Sequence, residues 1–326
     1  MRSLLIKASL LLASVVFMLL SAEGLLRFYP PFRPLPRTYV GEYENRQRHF
    51  LVADPVLGWK FRPNSEFGIY HANAQGFRAR SDFDPNRSCK TIALAGDSFT
   101  FGMNVGYQET FASLIETGLP GTCVDNMGIP GFGLDQMWLT VRTQALPLHP
   151  RLVTVAFIGA DLARSEEAYR PMEGFNKPTF KLVDGRLVPE TARDRPNFLV
   201  RFLQAHSSVW RVARLGARTL GQHYPFGEWW TLNAAILDAI RDDCRRAGVP
   251  VLFIYIPSRD WKAFPTLSAY MARNQASFID MSEGGFALTP DMYIPANDHL
   301  NDKGHRQVAD AVLRWLQQNP QFFKGF

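Results

Sequence analysis

Three unbroken apolar runs constrain this chain more than any other feature. They are "TIALAGDS" from Thr91, "LVTVAFIGA" from Leu152 and "VPVLFIYIP" from Val249. Each is too short for a spanning helix and lacks the alternation of a half-exposed strand. Runs of this kind are strands buried on both faces. Between them lie segments of helical period: "YQETFASLIETGL", "GLDQMWLTVRTQAL" and "AAILDAIRDDCRRAGV". Shorter strands, "CVDNMG" and "SFIDMS", and a closing helix, "DKGHRQVADAVLRWLQQN", complete the alternation. Strand–helix repetition predicts a parallel sheet covered by helices on both sides. On such sheets ligands bind beyond the carboxyl ends of the strands. Ser98, Gly128, Ala160–Asp161 and Pro257 fall at those ends.

The 326 residues allow one large α/β domain with additions. The formal net charge is +6, but the basic residues are scattered, so nucleic-acid binding is not expected. At the N-terminus, Arg2 and Lys7 precede the apolar run Ala8–Ala22, an export signal. Cleavage after Ala22 leaves Leu20 at −3, a poor site, whereas cleavage after Gly24 has an acceptable Ala22 there. Read as one helix, Ser3–Leu26 approaches the ~20 residues that span a bilayer. The expectation is an uncleaved single-pass anchor over residues 1–27, with the body outside.

Residues 28–88 read as a Pro- and Arg-rich linker followed by small strands. The main domain is expected over 89–326, with an insertion at about 162–197. Asp184-Gly185 in that insertion lies between alternating runs, which predicts a hairpin. "FLVRFLQAHSSVWRVARLGARTLG" then reads as a helix. Three cysteines leave one pair and one single residue. Cys89 with Cys123 is the candidate bridge, and two separate buried thiols are an alternative of at least equal weight. No His/Cys spacing points to a metal, and no cofactor is expected.

Ser98 sits in "AGDSFTFG", at the end of the first strand. A serine hydroxyl needs a base within reach and donors for the developing oxyanion. "NMGIPGFG", Asn126–Gly133, supplies glycines after the second strand. "NDHLNDKGH", Asn297–His305, places His299 in the loop opening the last helix. His305 lies inside that helix and reads as structural. Taken singly, each element is equally a turn, a loop or a capped helix start.

Together, "GDSFTFG", "NMGIPGFG", "FIGADL" and "DHLNDKGH" resemble the four ordered blocks of the GDSL, or SGNH, hydrolases, over about Thr91 to the C-terminus. "DPVLGWKFRPN" and "NAQGFR" resemble the segment preceding this domain in membrane-anchored bacterial members. The resemblance implies a flavodoxin-like three-layer α/β/α sandwich with a central parallel sheet. It also implies a serine esterase or O-acyltransferase using an acyl-serine intermediate. The implied substrate is an O-acyl group on a cell-envelope glycan, and the implied location is the bacterial inner membrane, with the domain facing the periplasm or exterior. By the same resemblance Ser98 is the nucleophile and an oxyanion donor, His299 the base, and Gly131 the glycine donor, with Gly128 as the alternative.

Two positions depart from the pattern. Ala160 stands where the family has an oxyanion-donating Asn. Ala296 stands three residues before His299, where an Asp is usual. Asp298 is then the expected orienter, with Asn297 as the alternative. These departures support a competing reading: a non-catalytic glycan- or protein-binding module on a degenerate fold.

Overall fold

The computed structural model describes residues 2–28, 50–170, 173–190, 227–258, 264–295 and 297–322, with 202–203, 207–210, 212–213 and 216 between them. Residues 29–49 of the expected 28–88 linker and accessory segment lie outside the described residues, as do Ala296 and most of the helix predicted after 197.

Helix α1 (Arg2–Phe28) opens the chain. Its Ile6–Phe28 stretch has a mean hydropathy of 2.1 and is not buried, so it is long and apolar enough to cross a bilayer. Two antiparallel pairs follow: β1 (Leu51–Asp54) with β2 (Gly58–Phe61), and β3 (Glu66–Phe67) with β4 (Tyr70–His71). Next come β5 (Lys90–Gly96), α2 (Ser98–Phe101), α3 (Phe111–Gly118), β6 (Thr122–Gly128) and α4 (Leu134–Thr140). After β7 (Leu152–Phe157) and α5 (Gly159–Arg164), two hairpins form the insertion. These are β8 (Tyr169–Arg170) with β9 (Phe175–Asn176), and β10 (Phe180–Val183) with β11 (Arg186–Pro189). The Asp184-Gly185 turn has both residues at positive φ, 49° and 74°, as a two-residue hairpin requires. The chain closes with α6 (Gly227–Arg246), β12 (Val251–Tyr255), α7 (Pro265–Arg273), β13 (Ser277–Asp280) and α8 (Asp302–Gln318).

The central sheet has five parallel strands in the order β13-β12-β7-β5-β6. Counting only these strands, the order is 5-4-3-1-2, the flavodoxin arrangement. Its switch point lies between β5 and β7. Alternate residues of each buried strand feed different layers. Ala93, Ala95, Val153, Val155, Phe253 and Tyr255 face one core, with α4, α6 and α7. Ile92, Leu94, Leu152, Leu252 and Ile254 face the other, with α3 and α8. This double burial is why the strands read as continuous apolar runs.

The segment before β5 belongs to the first of these cores, through Leu57, Trp59, Phe61 and Phe77. Cys89 and Cys123 form a disulfide, with Cα atoms 5.7 Å apart. Cross-linking positions 34 residues apart restricts the unfolded chain, a contribution of about 3–4 kcal/mol in the loop-entropy account. Cys244 is buried and unbridged, and burial pushes its thiol up to about 12. One predicted helix is interrupted: the span read as 133–146 is α-helical only to Thr140, then widens to a π turn over Val141–Ala145. Periodicity cannot see that local change of pitch.

Candidate active site

The site is built where β5 ends against β7. Asp97 caps α2, its Oδ1 accepting from the Phe99 N–H at 2.8 Å. Ser98 is therefore the first helical residue, 7% exposed. Helix α2 lies so close to the end of β6 that a Cβ on Gly128 would strike the backbone of Thr100 and Phe101. The N–H of Gly128 donates to Asn126 Oδ1 at 3.0 Å. Of the two glycines predicted as donors, Gly128 is thus engaged in holding the strand end. Gly131 sits in the loop beyond it with φ of 83°.

His299 comes from the far end of the chain. The loop before α8 turns back on itself: Ile294 N–H donates to His299 O at 2.7 Å, and Asp298 N–H to Ile294 O at 3.1 Å. Asn301 caps α8 by accepting from Gly304 N–H at 3.1 Å. The turn sets the ring of His299 against Phe99, 5.1 Å between centroids. His299 Nε2 lies 2.9 Å from Ser98 Oγ. Two residues 201 positions apart are thereby within hydrogen-bond reach. Burial is the largest influence on the imidazole and pushes its pKa below the ordinary histidine value. The Asp97 carboxylate opposes this, Arg164 reinforces it, and Asp298 opposes it more weakly.

The expected orienter, Asp298, makes no hydrogen bond to the ring. His299 Nδ1 is buried and has no hydrogen-bond partner among the described residues. Asp298 takes a left-handed backbone conformation, φ 66°, within the turn that its N–H closes on Ile294 O. Asn297 Oδ1 accepts from the His299 backbone N–H at 3.3 Å, so this alternative also serves the loop. Ala160 lies on α5 and packs beside the second core.

Beneath Ser98 is a charged cluster that sequence reading did not single out. Asp97 Oδ2 is 3.5 Å from Ser98 Oγ and 3.5 Å from Arg164 Nη1. Arg164 also pairs with Asp161 and donates to Phe132 O at 3.1 Å. Both carboxylates are fully buried. Burial, and next the neighbouring Asp97, push the Asp161 carboxyl well above the usual range. Asp161 Oδ2 also accepts from the Ile158 N–H at 2.8 Å, which starts α5. The guanidinium thus ties the turn after β5, the loop after β6 and the helix after β7 into one unit.

Arg78 was likewise not foreseen. It is 1% exposed and donates to the carbonyls of Phe101 (2.9 Å), Gly102 (2.6 Å) and Val105 (2.8 Å). These carbonyls close α2 and the turn after it, so Arg78 caps the short helix that carries Ser98. His305 behaves as the sequence predicts. Its Nδ1 accepts from the Phe111 N–H at 3.2 Å, joining α8 to α3.

Neither a protein-family model nor a curated protein matches the sequence. Solved structures do. A lipolytic protein of the G-D-S-L family from Desulfitobacterium hafniense is similar at 10% identity and TM-score 0.43, over 70% of this chain and 99% of that one. The psychrotrophic esterase EstA from Pseudoalteromonas is similar at 11% and 0.42, over 71% and 99%. A mutant of Axe2, an acetyl-xylooligosaccharide esterase from Geobacillus, is similar at 13% and 0.43, over 70% and 94%.

Proposed function

We propose that this protein is a serine ester hydrolase or O-acyltransferase acting through an acyl-Ser98 intermediate. The observation that carries the reading is the 2.9 Å approach of His299 Nε2 to Ser98 Oγ. A neutral imidazole with Nε2 free accepts the serine proton as Oγ attacks the ester carbonyl. The N–H groups of Ser98 and Gly131 donate to the oxyanion that forms. Collapse breaks the ester C–O bond, and the leaving oxygen takes the proton from His299. Water or a sugar hydroxyl then gives its proton to His299 and attacks the acyl carbon, and as the acyl–Oγ bond breaks His299 returns that proton to Ser98 Oγ. With no partner on Nδ1 among the described residues, we read the pair as a dyad, with the Asp97 carboxylate the charge that most favours the imidazolium.

The substrate we propose is an O-acyl group on a cell-envelope glycan, reached by a domain held outside the inner membrane by α1. Two observations support this location. The Cys89–Cys123 bridge fits an oxidising compartment. Glu23 near the end of α1 accepts from Ser207 Oγ (2.9 Å), Ser208 N–H (2.8 Å) and Val209 N–H (3.0 Å). Cleavage after Gly24 would remove that acceptor.

The test is labelling of the full chain with a fluorophosphonate. Wild type labels at Ser98, while Ser98→Ala and His299→Gln do not. A folded wild type that resists the reagent leaves the binding-module reading in its place, which the unpartnered Nδ1 and Ala160 favour.

A further inference from the structure

The residue that aims an oxyanion donor need not lie in the hydrolase-like domain. Trp59, on β2, is fully buried, and its Nε1–H donates to the carbonyl of Pro130 at 3.2 Å. The peptide Pro130–Gly131 is trans and planar, so its C=O and N–H point in opposite directions. Gripping the carbonyl therefore fixes the direction of the Gly131 N–H. The proline ring removes one rotation on the preceding side. On the following side, Gly131 is left-handed, and the Glu173 carboxylate occupies the space that a Cβ there would need. The indole cannot easily move. It packs edge-on to Phe132 at 5.3 Å and stacks on Phe175 at 6.3 Å. Leu57 O, two residues before it, accepts from Gln136 Nε2 at 2.7 Å. The loop it grips is also tied to the nucleophile's turn: Ile129 N–H donates to Gly96 O at 3.1 Å, and Phe132 O accepts from the Arg164 that reaches Asp97.

We propose that Trp59 is a positioning residue that locks the Pro130–Gly131 peptide with its N–H aimed at the oxyanion formed on Ser98. The inference rests on the reading of Ser98 as nucleophile and Gly131 as donor. An oxyanion donor must sit ~2.7–3.1 Å from the charge it stabilises, so a released peptide loses transition-state contact. Ground-state binding does not use that contact, and the loss falls on kcat.

The experiment uses the full chain in detergent, with Trp59→Phe and with 3-benzothienylalanine in place of Trp59. The second keeps the size of the indole and lacks its N–H, so it tests the hydrogen bond if the phenylalanine variant fails to fold. Turnover of p-nitrophenyl acetate and the rate of fluorophosphonate labelling at Ser98 are measured. Expected are a KM within about twofold of wild type and a fall of about 10–100-fold in both kcat and labelling rate. A purely structural role would lower thermal stability without that split between kcat and KM. A folded variant with wild-type kcat and labelling rate overturns the proposal while leaving Ser98 as nucleophile. Absence of labelling in wild type overturns both.

Discussion

Two histidines six residues apart in one motif carry opposite assignments, and His305→Gln separates them. In the native protein the His305 ring is 1% exposed, accepts at Nδ1 from the Phe111 N–H, and is held neutral. Burial pushes its pKa down to about 3, with smaller contributions of the same sign from Arg78 and His299. In the unfolded chain it returns to about 6.5. Between those values the unfolded state binds a proton that the native state does not. Stability is thus complete above about pH 6.5 and is lost as pH falls from there toward about 3. At pH 5 the loss from this one group is about 2 kcal/mol, with a slope of about 1.4 kcal/mol per pH unit. Glutamine offers an acceptor to the same N–H and does not titrate. Its stability difference from wild type should therefore shift by about 2 kcal/mol in favour of the variant between pH 7.5 and pH 5. Denaturant unfolding of the full chain in detergent at the two pH values measures this. Ester turnover at pH 7.5 should survive in His305→Gln and vanish in His299→Gln. Parallel pH profiles of stability for wild type and variant would refute the buried neutral assignment, and lost turnover in His305→Gln would refute the division of roles.

Other expectations concern the site itself. The acid limb of kcat/KM should have its midpoint below the ordinary 6.5 of histidine, because burial depresses His299; Asp97→Asn, which keeps the helix cap, should move that midpoint lower still in a pH–rate profile. Ala160→Asn should raise hydrolytic kcat, by up to the order of 10²–10³ that one oxyanion donor contributes; a folded variant without gain in p-nitrophenyl acetate turnover would mean that the hole is already filled. Arg78→Met should cost roughly 3–5 kcal/mol, since three buried carbonyls lose a charged donor; a melting temperature unchanged from wild type would count against the cap.

How far the sequence could be read follows from the range of the interactions involved. The three central strands, β5, β7 and β12, were legible because double burial writes itself as an apolar run. The Asp184-Gly185 hairpin was legible because its turn is specified by two adjacent residues. Ser98 and His299 could be named only from the four sequence blocks taken together, since each block alone reads equally as a turn or a capped helix start. Arg78 and Trp59 could not. Their partners are 23 to 71 positions away, and arginine inside a core is ordinarily a poor guess. Arg78 is there because carbonyls at and just after the end of α2 accept from its two terminal nitrogens. Asp298, the expected orienter, leaves His299 Nδ1 without a hydrogen bond. Adjacent side chains face each other only if the chain between them allows it, and the Asp298 backbone is left-handed, φ 66°.

The division of the chain at residue 88 into an accessory segment and a hydrolase-like domain is a sequence boundary, and the packing argues against treating it as a folding boundary. Leu57, Trp59, Phe61 and Phe77 belong to the same core as β5, β7 and β12. Each buried side chain of this size is worth about 1.5–3 kcal/mol of apolar burial, so four of them together rival the whole stability of a typical domain. Their removal would also uncover the face on which α2 and the Gly131 loop rest, and would leave the carbonyls of Phe101, Gly102 and Val105 without Arg78. A chain starting at residue 89 should therefore be insoluble or lack cooperative unfolding, even though it retains Ser98, His299 and the disulfide. A chain starting at residue 50 retains these packing and capping residues and should fold. Expression of both without α1, followed by thermal unfolding and fluorophosphonate labelling, tests this. A soluble, cooperatively folded and labelled fragment starting at residue 89 would show that the site is built by the parallel sheet alone, and the part assigned to Arg78 and Trp59 would then fall with it.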